Sequence, residues 1–187
     1  MPSATISKDD LLNQALELIA LIGWRNFSPL DLARKSSLPL SDVYAYFPDK
    51  SDILTALMER TDRYVLSQIT EDTLKESHKD RLFDLLMNRF EVLTSHKKAL
   101  RSVWDGAFSD PASLLKTAPN ALRSARWMLE GAGYDTNGCF GFFKINSLAL
   151  LYASVFSDWL RDDAPDQSKT MVSLDRLMSK LENIMNG

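Results

Sequence analysis

Apolar positions recur along this chain at steps of three and four residues, the spacing of helices with one buried face. Leu12, Ala15, Leu16 and Ile19 form the first such stripe. Ser7 precedes it as an N-cap, Asp9 and Asp10 stand in its first turn, and Gly23 ends it. Residues Met1 to Ile6 read as a frayed tail. A second, shorter helix opens at Ser28, with Pro29 at the first helical position and Asp31 beside the positive end of the helix dipole. Leu32 and Ala33 are its apolar pair, Ser36-Ser37 closes it, and Pro39 cannot continue it. A third helix is predicted over Leu40 to Tyr46, with Leu38, Val43, Tyr44 and Phe47 packing back onto Leu32 and Ala33. Pro48 breaks the chain again. Asp49 then caps a long helix from Lys50 through Ile53, Leu57, Tyr64 and Leu66 to about Ile69.

The polar stretch Thr70 to Asp80 marks a boundary, and the helical pattern resumes at Arg81. Leu82, Leu86, Phe90 and Leu93 make one stripe, widened by Phe83 and Met87, and Leu100, Val103, Trp104, Ala107 and Phe108 make the next. Ser109-Asp110-Pro111 reads as a turn, Ala112 to Ala118 as a short helix, and Pro119 as the opening of another that carries Leu122, Ala125, Trp127, Met128 and Leu129. Gly131, Gly133 and Asn137-Gly138 punctuate a loop. Phe140 to Leu160 is apolar nearly all round, which implies burial on more than one side. The last helix starts near Asp166 with the stripe Met171, Leu174, Met178, Leu181 and Met185. The expected fold is all-α with about nine helices. It divides into a small N-terminal domain, 1–50, and a larger helical domain, 51–187.

Composition narrows the function. The chain has 187 residues, 45% hydrophobic and 25% charged, enough for one or two domains with a core. A net charge of −3 does not indicate a general nucleic-acid or anionic-membrane binder. The single cysteine, Cys139, can form no disulfide within the chain, fits a reducing compartment and reads as a small core residue. No signal-peptide pattern is present and no apolar run reaches about 18 residues, so a cytoplasmic protein without stable membrane insertion is expected. His78 and His96 lie in polar junctions without partners at ligand spacing, so no metal is expected. The acids Asp158, Asp162, Asp163 and Asp166 sit at a helix-to-helix turn, where carboxylates cap the next helix. No nucleophile, paired base or phosphate loop accompanies them, so neither an enzyme nor a cofactor is expected.

Two helices of about seven residues joined by a turn of about four can place the second in a DNA major groove, or can be an ordinary turn between core helices. The stretch FSPLDLARKSSLPLSDVYAYFPDKSDIL resembles the DNA-binding signature of the TetR family of regulators. The resemblance lies in Phe27, Ser28, Leu32-Ala33, Leu38, Val43-Tyr44, Tyr46-Phe47, Lys50 and Leu54. It implies that Ser28, Tyr46 and Lys50 hold phosphates, and that Leu40, Ser41, Asp42, Tyr44 and Ala45 belong to the surface that meets bases. The family usually has Gly in the turn where this chain has Ser37. Between Trp24 and Thr55, the bases Arg25, Arg34, Lys35 and Lys50 are balanced by Asp31, Asp42, Asp49 and Asp52, a weak electrostatic footprint for DNA.

Phe83, Met87, Phe90, Val103, Trp104, Phe108, Trp127, Met128 and Phe143 supply either a plain core or the lining of an apolar ligand cavity. The last two helices carry apolar surface that fits either a four-helix dimer seam or an intramolecular core. Leu148, Tyr152, Phe156, Met171, Leu174, Met178 and Leu181 are the seam candidates. TetR-like proteins use their last two helices in this way. The segments FDLLMNRFEVL, Trp127–Glu130 and DWLRDDAPDQSKTMVSLDRLMSKLE also resemble the TetR-like lipid-binding proteins of ubiquinone biosynthesis. Two readings follow. One is a homodimeric regulator that binds a pseudo-palindromic DNA operator and responds to a small apolar or lipid-like ligand. The alternative is a lipid- or isoprenoid-binding protein that kept the fold and lost the DNA contact.

Overall fold

The computed structural model describes residues 6–106 and 111–185, the side chains of 111, 113, 114 and 182–185 excepted. Phe108, the turn at 109–110 and the chain ends 1–5 and 186–187 lie outside the described residues. Nine α-helices are described: α1 Lys8–Ile22, α2 Pro29–Ser36, α3 Leu40–Tyr46, α4 Ser51–Ser67, α5 His78–Thr94, α6 Lys97–Gly106, α7 Pro111–Gly131, α8 Gly138–Leu160 and α9 Ser168–Met185. One turn of 3-10 helix, Thr73–Lys75, precedes α5. The all-α expectation holds.

Local chemistry sets the helix ends. Ser7 accepts from the Asp10 N–H, and Gly23 closes α1 at φ 84°, donating to the Ile19 carbonyl. Ser28 and Asp31 form a reciprocal capping box at α2. Asp49 Oδ1 accepts from the Ser51 N–H at 2.9 Å and Asp52 Oδ2 from the Asp49 N–H at 2.7 Å, which fixes the start of α4. Asp162, 1% exposed, accepts from both the N–H and hydroxyl of Thr170 at 2.8 Å, filling an orphan donor in the first turn of α9.

The chain packs as two compact units, Met1–Leu57 with Ser95–Ala118, and Met58–Thr94 with Pro119–Gly187. The core of the first is Leu11, Leu12, Ala15, Leu16 and Ile19 of α1 against Trp24, Phe27, Leu32, Val43 and Phe47, with Ala99, Leu100 and Val103 of α6. In the second, Ile145, Leu148, Val155 and Trp159 of α8 and Leu174, Met178 and Leu181 of α9 are buried, and these two helices pack along their length.

Three expectations change. The predicted break at Pro119 is absent, and α7 runs through it. Proline removes one hydrogen bond, to the carbonyl of Leu115. Leu115 is 73% exposed, so water can take the missing donor's place. Cys139 is exposed in the first turn of α8 rather than in the core. Tyr44 is 46% exposed rather than buried with Val43 and Phe47. At 100° per residue, burying Val43 and Phe47 turns Tyr44 outward. α8 also contains an 18-residue window apolar enough to meet the composition of a membrane span, although Lys144 and Asn146 interrupt the helix.

The polar stretch before α5 is closed by one side chain. Arg81 Nε donates to the Thr73 carbonyl at 3.0 Å, and its Nη2 to the carbonyls of Leu74 at 2.8 Å and Glu76 at 3.0 Å. Beside it, Val65, Ile69, Thr73, Arg81 and Leu85 line a cavity of about 30 Å³, room for a few waters and far below the size of a small-molecule site. None of the residues expected to line a ligand cavity borders it.

Candidate nucleic-acid interface

The first unit displays α3 through a fixed local geometry. At Ser37 the chain takes the left-handed conformation, φ 55° and ψ 31°, and the Leu38 N–H reaches back to the Ala33 carbonyl at 3.1 Å. That pairing turns the chain sharply into α3. Val43 is wholly buried, and Ser41, Tyr44 and Ala45 are exposed on the opposite side. These three sit at i, i+3 and i+4, one helix face. Leu40 and Asp42 flank it half-buried, with the Ser41 hydroxyl donating to Asp42 Oδ1 at 3.2 Å.

The three expected phosphate holders all have partners within the chain. The Ser28 hydroxyl donates to Asp31 Oδ2 at 2.6 Å. With the Ser28 N–H and the Arg34 charge adding to it, that bond holds the Asp31 carboxyl below the usual carboxylate range. The Tyr46 hydroxyl donates to the Ile6 carbonyl at 3.1 Å. Lys50 Nζ donates to the Trp24 carbonyl at 3.0 Å and lies 4.4 Å from the centre of the Trp24 ring. Lys116 adds a cation that the local charge balance from Trp24 to Thr55 leaves out, at 2.5 Å from Asp49.

The second unit holds most of the remaining candidates. Phe90 is wholly buried, stacked on Tyr152 at 4.9 Å and tilted against Trp159 at 5.6 Å, with Phe156 alongside Trp159 at 5.3 Å. Met128 is buried, and Phe83, Met87 and Trp127 are half-buried. The Arg123 guanidinium lies 5.2 Å from the Trp127 ring centre. Phe143 stands apart, 62% exposed and edge-on to Phe142. Val103, buried, and Trp104, half-buried, belong to α6 in the first unit. Of the seam candidates, Leu148, Leu174, Met178 and Leu181 are buried within the single chain, Tyr152 stacks on Phe90, and Phe156 lies against Tyr152 and Trp159. Met171 is 46% exposed. The exposed apolar residues of the two helices are instead Phe140, Phe142, Phe143, Leu150, Met171 and Val172.

Sequence reasoning missed a buried polar network in this unit. Asp62, from α4, meets the Arg89 guanidinium of α5 and the Ser124 hydroxyl of α7. Arg89 Nε donates to the Tyr152 hydroxyl at 3.1 Å. Burial pushes the Tyr152 phenol up, against the pull of the Arg89 charge. The signal was present: Arg89 falls within the apolar series Leu82, Leu85, Leu86, Phe90 and Leu93, where an arginine has to find a partner. Among the described residues, no group of three or more His, Cys, Asp or Glu side chains is placed to hold a metal.

No protein-family model matches the chain, and no curated protein matches it in sequence. Solved structures do. A TetR transcriptional regulator from Nitrosomonas europaea ATCC 19718 superposes with a TM-score of 0.76 at 20% identity, covering 92% of this chain and 96% of that one. One from Rhodococcus sp. RHA1 gives 0.65 at 18%, covering 91% and 94%. A TetR-family regulator from Thermus thermophilus gives 0.53 at 18%, covering 98% of each chain. The chain therefore has the fold of TetR-type transcriptional regulators.

Proposed function

We propose that this protein is a cytoplasmic, homodimeric DNA-binding regulator whose affinity for its operator is set by a small apolar ligand. The observation that carries the reading is the outward face of α3. Ser41, Tyr44 and Ala45 are presented side by side on a helix whose inner side and entry turn are anchored, in a fold shared with solved regulators. Small and aromatic side chains on one helix face suit contact with base edges and thymine methyls. Paired two-fold, two such helices would stand about 34 Å apart and read a pseudo-palindrome. The outer face of α8, with Phe143 and Leu150 exposed, is the surface offered for pairing. An apolar ligand beside Phe83, Met87 and Trp127 would act only through its different affinity for two arrangements of the dimer.

Genomic footprinting with the purified protein tests this. A protected pseudo-palindromic site is the expected result, and its neighbouring genes would point to the ligand. No protection above background in low salt would leave the fold without a DNA role.

A further inference from the structure

Trp24 is where three separate stretches of the first unit meet. Its N–H donates to Ser102 Oγ of α6 at 2.8 Å, across 78 residues of sequence. Its carbonyl accepts from Lys50 Nζ at 3.0 Å, and that ammonium stands 4.4 Å from the centre of its ring. The indole is 1% exposed and presses on α6, where a Cβ at Gly106 would come within 2.9 Å of Trp24 Cδ1. Gly23, just before it, has φ 84°, and a Cβ there would lie 3.5 Å from Ser102 Oγ. The space around Trp24 is therefore closed by α6 from two sides.

The Trp24 carbonyl holds the Lys50 ammonium through one of its donors. The ring face below attracts the charge. Together they fix the head of a side chain that otherwise loses rotamer freedom when it meets a phosphate. A lysine already held in place contributes more to binding than a free one. We infer that Trp24 is the positioning residue for Lys50, and that α6 sets this position through Ser102 and Gly106. The inference rests on the DNA-binding reading above, with Lys50 as a phosphate contact.

The test is a double-mutant cycle on the full-length protein, read as affinity for a mixed-sequence duplex in low salt. Lys50→Ala should weaken binding and lower the salt slope by about one. Ser102→Ala should weaken binding by about threefold when Lys50 is present and by less than about 1.5-fold when it is absent. Amide exchange at Trp24 should speed up in Ser102→Ala, and Gly106→Ala, which pushes on the indole, should repeat the pattern. A structural loosening would cost the same in both backgrounds. Equal losses, or no loss at all from either α6 variant, would overturn the inference while leaving DNA binding intact. Failure of the wild-type protein to bind the duplex would instead overturn the DNA-binding reading, and this inference with it.

Discussion

Lys116 donates to Asp49 Oδ2 at 2.5 Å, although 67 positions separate the two residues. With the Ser51 N–H and hydroxyl adding to it, that bond lowers the Asp49 carboxyl to about 2. A depressed carboxyl contributes stability above its unfolded value of 3.8 and loses it as pH falls through the folded value. Both side chains are well exposed, at 58% and 41%, so screening keeps the contribution under about 1 kcal/mol. Lys116→Met should therefore cost a few tenths of a kcal/mol near pH 6, with the difference vanishing by about pH 2 and in high salt. Urea unfolding at three pH values checks this.

Ser37 occupies the left-handed region at φ 55° that glycine takes without steric cost. Ser37→Gly should stabilise the protein by about 0.5–1 kcal/mol, the strain relieved less the added freedom of the unfolded chain. The denaturation midpoint should rise with an unchanged slope. A midpoint that stays put or falls would show that Ser37 contributes something its backbone does not reveal.

The Asp62–Arg89 pair is buried on both sides, at 1% and 5% side-chain exposure. Asp62→Asn leaves the guanidinium without its counter-charge and should cost about 3–5 kcal/mol. Replacing both, Asp62→Leu with Arg89→Met, should recover most of that loss, because the desolvation cost of the pair disappears with it. Thermal unfolding of the three variants distinguishes a stabilising pair from one that merely has to be complete.

Leu150 and Leu174 make a contrasting pair, 74% and 2% exposed. Leu150→Glu should keep the fold and yield a monomer by light scattering. Leu174→Glu buries a charge beneath α8 and should abolish the cooperative melt seen by circular dichroism. A Leu150→Glu protein that remains dimeric would move the pairing surface off the outer face of α8.

Most helix limits were legible because they depend on neighbours in sequence. Ser7, Ser28, Gly23 and Pro39 act on the backbone within four residues, and α1, α2 and α3 begin and end where those residues place them. What stayed hidden depends on residues far away in the chain. Pro119 reads as a stop until the exposure of Leu115 shows that its lost bond can be met by water. Lys50 reads as an outward phosphate contact, and no spacing rule places the Trp24 carbonyl within its reach. α8 carries apolar residues on all sides, so periodicity could not separate the buried Leu148 from the exposed Leu150. Asp62 and Arg89 are 27 positions apart on different helices, a pairing that only packing reveals.

The arginine that closes the turn before α5 changes what residues 70–77 are in practice. By composition the stretch is a linker, polar and largely exposed, and a protease should find it the easiest place to cut. Cleavage requires the backbone to extend into the enzyme's cleft, and three of its carbonyls are held by one guanidinium. The stretch should therefore resist limited digestion in the native protein. Arg81→Ala would turn it into the first nick site without touching the sequence that is cut.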